Sequence, residues 1–202
     1  MKRRGLLLVI SAPSGAGKTT IVKEVLRQFP SFRFSVSATT RDMRPGEVDG
    51  KDYFFITKPE FEKRIADGDL VEHELIYSNY YGTLKSEVEK ALTNGEDIIF
   101  DVDVKGGLSI KNKFPEAVII FVRPPSVEAL RQRLEGRGSE TKTQIDRRME
   151  RVPMELEKGE LYDYIIVNDE LKRAVKAVFD IVEAKMSERI HGKELLGGTE
   201  AN

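Results

Sequence analysis

The residues best suited to chemistry lie in one decapeptide, SAPSGAGKTT, from Ser11 to Thr20. Its spacing follows the phosphate-binding pattern G-x-x-x-x-G-K-[ST], with Ala12 at the first glycine position and Gly17, Lys18 and Thr19 at the last three. Alanine is a mild departure, because that position needs only a small side chain unless its backbone is left-handed. Gly15 and Gly17 let successive backbone N–H groups turn inward and form a concave anion nest. The free N–H groups of a following helix would add positive dipole at the same place. Lys18 supplies a point charge for β- and γ-phosphates, and the Thr19 hydroxyl is suited to Mg²⁺. A tight strand-to-helix turn would explain the glycines but neither Lys18 nor Thr19. The decapeptide therefore reads as a nucleoside triphosphate site and leaves the phosphoryl acceptor open.

Other candidates take their meaning from this loop. Asp101 ends an apolar run, where an acid can approach a Mg²⁺ ion or simply cap the next turn. Asp103, two residues on, would project to the same side if the strand continued. Arg41 and Arg44 lie in a polar loop. Arginine pairs with phosphate through two parallel hydrogen bonds, although exposed loop arginines are also ordinary. Tyr53 and Tyr81 can each offer a hydroxyl to a phosphate or serve packing alone. Between Arg131 and Arg151, arginines alternate with acids, which describes a solvated face. Beside a triphosphate the same segment reads as a cationic lid, since transferred phosphoryl groups need positive charge.

The elements that would position these groups alternate. Leu6–Ile10 reads as a buried strand before the loop, and Lys18 to about Gln28 as a helix ending before Pro30. Phe32–Ser37 alternates as one short strand, Tyr53–Ile56 forms another, and Thr57 with Glu60 makes a capping box for a helix to about Ala66. Leu70–Tyr77 is expected as a strand, and Leu84 to Asn94 as a helix stopped by Gly95. Asp97–Val102 and Ala117–Val122 read as buried strands around a helix over 105–113. Ser126 caps the next helix, and Thr141 with Gln144 opens a charged one that Pro153 is expected to kink. Tyr162–Val167 is expected as the last strand and Leu171 to about Arg189 as the last helix. This order predicts an α/β fold: a parallel sheet with helices on both faces. The turn-rich, short-stranded stretch between Phe34 and Tyr81 reads as an inserted lobe.

Composition bounds the rest. With 202 residues and 40% hydrophobic content, the chain can bury one real core. Its 33 basic and 34 acidic side chains nearly cancel, so no global field favours nucleic acid and any anion site is local. The absence of cysteine excludes disulfides, thiolate metal sites and a cysteine nucleophile, and two histidines are too few for a histidine-rich metal site. Lys2, Arg3 and Arg4 before an apolar run imitate a secretory signal. Ser11, Pro13 and Ser14 end that run short of the roughly 7–15 residues a signal core requires. Nothing approaches the roughly 20 apolar residues of a membrane span, so a soluble, cytoplasmic protein is expected.

Six separated segments, SAPSGAGKTT at Ser11, SVSATTRDMRPGEVDGKDYFF at Ser35, SNYYGT at Ser78, IIFDVDVKG at Ile98, RLEGRG at Arg133 and YIIVND at Tyr164, together resemble guanylate kinase, from Leu6 to about Glu183. The resemblance implies a single phosphate-loop NTPase-type domain: core 5–33, 84–125 and 160–190, GMP-binding lobe 34–83, small helical lid about 126–159, loose tail 191–202. It implies transfer of the γ-phosphoryl of MgATP to GMP, and to dGMP, within purine nucleotide metabolism. Lys18, Arg41, Arg137 and Arg148 would be catalytic. ATP would be held by the loop from Ala12 and Pro13 through Ser14, Gly15, Ala16, Gly17, Lys18, Thr19 and Thr20, with Arg133 and Arg137 in the lid and Asn168 near adenosine. Arg41, Arg44, Tyr53 and Tyr81 would hold the GMP phosphate; Ser37, Glu72, Thr83 and Asp103 would surround guanine. Mg²⁺ would sit at Thr19, partly through water and phosphates, so a direct Asp101–metal contact is not implied. Thr83 stands where serine is common, and the Thr19-Thr20 pair replaces the frequent Ser-Thr or Ser-Ser with the hydroxyl kept. The expected partners are ATP and GMP, without nucleic acid or membrane. Two alternatives stand beside this: a non-catalytic guanylate-kinase-like binding module, against which the intact loop speaks, and a related kinase for another phosphorylated acceptor.

Overall fold

The structure, a computed structural model, describes residues 5–136, 138 and 141–196, with side chains through 189. Its first elements are β1 (Leu7–Ser11), α1 (Lys18–Gln28), β2 (Phe32–Phe34), β3 (Ser37–Thr39), β4 (Phe54–Phe55), α2 (Lys58–Asp67), β5 (Leu70–Ile76) and β6 (Asn79–Leu84). There follow α3 (Lys85–Asn94), β7 (Asp97–Asp101), α4 (Val104–Lys113), β8 (Val118–Arg123), α5 (Val127–Glu135), α6 (Lys142–Met149), α7 (Val152–Gly159), β9 (Tyr164–Val167) and α8 (Leu171–Leu196).

Continuous apolar runs make the central layer because both faces of a parallel sheet are covered. Five parallel strands take the order β2-β7-β1-β8-β9. Alternate residues point to opposite faces. Leu8, Ile10, Ile99 and Ile120 pack with Ile21 and Val25 of α1 and Val178 of α8. Leu7, Val9, Phe100 and Ile119 pack with Val88 of α3 and Ile110 of α4. Each such fully buried side chain contributes about 1.5–3 kcal/mol, which makes this two-faced layer the main core of the molecule. After β1 the chain builds outward to β2 and returns to β7; it then crosses to β8 and β9. β1 thus lies at the switch point, where open α/β sheets bind ligands beyond the carboxyl ends of their strands.

A second sheet, ordered β4-β3-β6-β5, pairs β3 in parallel with β4 and antiparallel with β6, and β6 antiparallel with β5. Its own core gathers Ala38, Phe61, Leu70 and Leu84, with Phe61 stacked on Tyr80 at 5.0 Å between ring centroids. The Thr57–Glu60 capping box is formed at the start of α2, and Gly95 closes α3 with φ 72°.

Three expectations need correction. Phe32–Ser37 is not one strand: β2 ends at Phe34, Ser35 still bonds the Ile99 carbonyl, and the chain then leaves for the second sheet at Ser37. Pro153 does not kink a helix. It sits in the first turn of α7, where its missing N–H costs nothing, and α6 has already ended at Met149. The tail expected from residue 191 is helical to Leu196, since Gly192 alone is a weak breaker and the Gly197-Gly198 pair comes later. Residues 197–202 and the basic start at Lys2–Arg4 lie outside the described residues. Among the described residues no helix is long and apolar enough to cross a membrane.

Candidate active site

The phosphate loop joins the carboxyl end of β1 to the amino end of α1. Gly15 and Gly17 take φ 93° and 99°, left-handed values that side-chain-bearing residues resist. Gly17 is also the N-cap of α1 and supplies no side-chain cap, so the first helical N–H groups are left for an anion. A Cβ at Gly17 would stand 2.4 Å from the Asn168 amide nitrogen. That amide donates to the Ala16 carbonyl at 2.7 Å and is buried, clamping the loop from beyond β9. Arg133 donates to the Asn168 carbonyl at 2.8 Å and ties α5 to the same clamp.

Lys18 reaches back under the loop. Its ammonium donates to the Val102 carbonyl at 2.9 Å and pairs with Asp101 at 2.6 Å. Burial disfavours its charge, but Asp101, together with Tyr53 and Asp103, outweighs that penalty and holds the Lys18 pKa above its ordinary value. Lys18 is therefore a permanent cation. Beneath it, the buried Ser11 hydroxyl bonds the Val102 carbonyl at 2.9 Å and accepts from Tyr162 at 2.8 Å, fixing the turn after β7.

Two cavities meet at Lys18. One, of about 360 Å³, runs along the loop from Ala12 to Thr20 and is closed by Arg44, Arg148 and Arg151. The other, of about 170 Å³, is lined by Ser37, Tyr53, Glu72, Tyr81 and Asp103. Lys18, Ile76, Tyr81 and Asp103 line both. A third opening, of about 540 Å³, contains Arg41, Arg44, Tyr81 and Arg148. Thr19 and Thr20 are exposed at the mouth of the first, with the Thr19 hydroxyl available to a cation.

The small cavity has a buried carboxylate among its lining residues. Glu72 lies at its base, 7% exposed, and accepts from the buried Thr83 hydroxyl at 2.7 Å. Burial, reinforced by Asp103, pushes the Glu72 pKa up to about 7 although the Thr83 bond opposes it. A Cβ on Gly106 would come within 2.7 Å of the Glu72 carboxylate, so α4 can pass this closely only with glycine there. Asp103 caps α4 through its bond from the Gly106 N–H at 2.8 Å. Burial also raises the Tyr53 pKa, which keeps its phenol a donor.

Arg41 is less free than its loop position suggested. Its two NH groups donate to both oxygens of Glu47 at 2.8 Å, and its guanidinium lies 5.2 Å from the Tyr53 ring centroid. Glu47 also accepts from the Arg44 N–H at 2.7 Å, and its pKa falls to about 2, chiefly through the Arg41 bond. Arg148 donates to the Ser14 hydroxyl and so brings the end of α6 onto the loop. Arg137 lies outside the described residues. Sequence reasoning misses Glu47 and Glu155 as site residues: the first holds Arg41, and the second binds Arg151, one of the expected lid arginines, at 3.4 Å beside the loop. The RPGE run of Arg44–Glu47 gives a sequence signal for the first, and the i,i+4 spacing of Arg151 and Glu155 gives one for the second.

A phosphate loop at the switch point of a parallel sheet, with an acceptor-sized pocket meeting it at the loop lysine, defines a phosphate-loop kinase of the nucleoside monophosphate class. The guanylate kinase family model matches residues 4–185, and the chain belongs to that family. It is 47% identical over 189 residues to a guanylate kinase of Symbiobacterium thermophilum, covering 94% of this chain and 90% of that protein. A guanylate kinase of Chlorobium luteolum is 47% identical over 179 residues, 88% of this chain and 91% of the relative. The crystal structure of guanylate kinase from Anaplasma phagocytophilum superposes with a TM-score of 0.72 at 29% identity, over 92% of this chain and 88% of that one.

Proposed function

We propose a division of labour among these residues for the reaction of the family, transfer of the γ-phosphoryl group of ATP to GMP to give ADP and GDP. ATP lies along the loop from Ala12 to Thr20, its terminal phosphates at the α1 amino end and on Lys18. The lid, about 126–159, covers it with Arg133, Arg137 and Arg148, and Asn168 holds the loop on the adenosine side. GMP occupies the lobe of residues 34–83, its phosphate toward Arg41, Arg44, Tyr53 and Tyr81. Guanine offers N1–H and its 2-amino group side by side, and the two oxygens of ionised Glu72 accept both; Ser37, Thr83 and Asp103 complete that pocket. Adenine presents an acceptor at N1 and would leave Glu72 unpaired, so a preference of roughly 10⁴–10⁵ is within reach of such a site.

The acceptor is a phosphate oxygen, already ionised, so no general base is needed. Lys18 and the arginines align the two phosphates and neutralise charge that develops between them. The exposed Thr19 hydroxyl is a hard oxygen donor that fits Mg²⁺, which would neutralise phosphate charge when bound. No group of three acidic or histidine side chains among the described residues forms a separate metal cage. The substrates are small molecules of the cytoplasm, the compartment we assign, and dGMP should also be accepted because nothing in the pocket chemistry relies on the 2′-hydroxyl.

The observation that carries this reading is the meeting of the loop cavity and the Glu72 cavity at Lys18. Coupled ADP release with GMP, AMP, CMP and UMP as acceptors tests it. Turnover should require GMP or dGMP; equal turnover with AMP, or ADP release without any acceptor, would refute it.

A further inference from the structure

The β5–β6 hairpin turns through Tyr77 and Ser78, both left-handed at φ 49° and 74°. Two-residue turns of this kind favour Asn-Gly, so a tyrosine there is held against its backbone preference. Such residues persist where surrounding contacts fix them, and they cluster at functional sites. Here the contacts belong to the lid. The Tyr77 hydroxyl donates to the Arg147 carbonyl at 3.3 Å, and the Arg151 guanidinium lies 5.7 Å from the Tyr77 ring centroid. The same guanidinium donates to Asp103 at 3.2 Å and to Glu155 of α7 at 3.4 Å. Asp103 lines both the acceptor cavity and the loop cavity.

One side chain therefore touches the tip of the acceptor lobe, the floor of the acceptor pocket and the lid helix. We infer that Arg151 is a positioning residue that couples acceptor occupancy to closure of the lid, with Tyr77 as its contact on the lobe. The inference rests on the reading of the two cavities as ATP and GMP sites. Bonds from Arg151 to Tyr77 and Asp103 exist only when lobe, core and lid are together. A ligand that draws the lobe onto the core thus lowers the free energy of the closed lid, and the lid ligand favours the closed lobe by the same factor. Arg148 precedes Arg151 in the same lid segment and bonds Ser14, so closure through Arg151 also delivers Arg148 to the phosphate loop.

The test is calorimetric titration of a non-hydrolysable ATP analogue with Mg²⁺, with and without saturating GMP. The ratio of the two dissociation constants for the unmodified protein should fall in the range of about 5–150 usual for coupled sites. Arg151→Gln and Tyr77→Asn should each bring it to within about twofold of one. Asparagine accepts the left-handed turn, so Tyr77→Asn keeps the hairpin and remains decisive if Arg151→Gln does not fold. A ratio of one in the unmodified protein, or retention of its ratio by either folded variant, overturns the inference. GMP-dependent ADP release separates the two levels: its loss in the unmodified protein sinks the substrate reading itself, whereas release with uncoupled binding sinks only the role of Arg151.

Discussion

The two halves of the site are held in different ways. On the side we assign to ATP the groups are backbone N–H groups of the loop and the α1 amino end, set by two left-handed glycines and anchored in the five-stranded core. On the side we assign to the acceptor they are side chains of the small second sheet and its β3–β4 loop, each fixed by a partner elsewhere in the lobe: Glu72 by Thr83, Arg41 by Glu47 and by the Tyr53 ring. The first arrangement resists change because it belongs to the backbone. The second rests on individual side-chain pairs within a lobe that has its own small core, so it fails one residue at a time.

That contrast sets the order of expected effects. The largest belongs to Lys18, which both cavities share. Lys18→Ala should lower kcat by at least about 10³-fold, the scale for losing a preorganised transition-state charge partner, while GMP affinity measured by titration stays within a few-fold. Loss of GMP binding with turnover preserved would reverse the assignment of the two sides.

Next comes Glu72, whose damage should be confined to the acceptor. Glu72→Gln keeps the shape but accepts only one of the two guanine donors, so KM for GMP should rise by about 10²-fold or more with KM for ATP nearly unchanged. The pH dependence carries a sign. The folded pKa of about 7 lies above the ordinary carboxylate value, so Glu72 is protonated in the free protein as pH falls through about 7. KM for GMP should then rise by about tenfold per unit below that pKa, and Glu72→Gln should flatten the profile. For stability the sign is opposite to that of a paired carboxylate. The cost of burying charged Glu72 is absent below its unfolded pKa and grows as pH rises to about 7, so the free protein should gain stability on mild acidification through this group. A pH-independent KM for GMP would remove Glu72 from the guanine pocket.

The smallest effect sharpens the donor side. Asn168→Ala leaves the buried Ala16 carbonyl without its 2.7 Å partner, a loss of about 1–3 kcal/mol. Melting should fall by about 2–12 °C for a chain of this size, with KM for ATP raised and KM for GMP unchanged. An equal rise in both constants would mean that Asn168 does not act through the loop.

Legibility in the sequence divides along the same line. The loop, α1 from Lys18 to Gln28, the Thr57–Glu60 and Thr141–Gln144 boxes and the apolar strands rest on local spacing, and each is readable a few residues at a time. In the lobe α2, β4 and β5 are readable in place, but the sheet they build is not, because its strands are two to seven residues long and pair across distance, Ser37 with Thr83 for example. Its guanine and phosphate contacts come from resemblance rather than from spacing. Glu47 escapes, as does the contact of Arg151 with Tyr77, because a loop ion pair or a cation over a distant ring has no period along the chain. Pro153 misleads for a local reason: a proline can break a helix or begin one, and only the preceding end at Met149 decides which.

The central claim is that two phosphates are brought end to end at Lys18. A crystal structure with a non-hydrolysable ATP analogue, Mg²⁺ and GMP tests it most directly. The γ-phosphate and the nearest GMP phosphate oxygen should lie roughly 3–3.5 Å apart, with Lys18 beside them and Arg41 and Arg44 on the GMP phosphate. GMP bound away from those two arginines, or the two phosphates held far apart in a closed molecule, would contradict it.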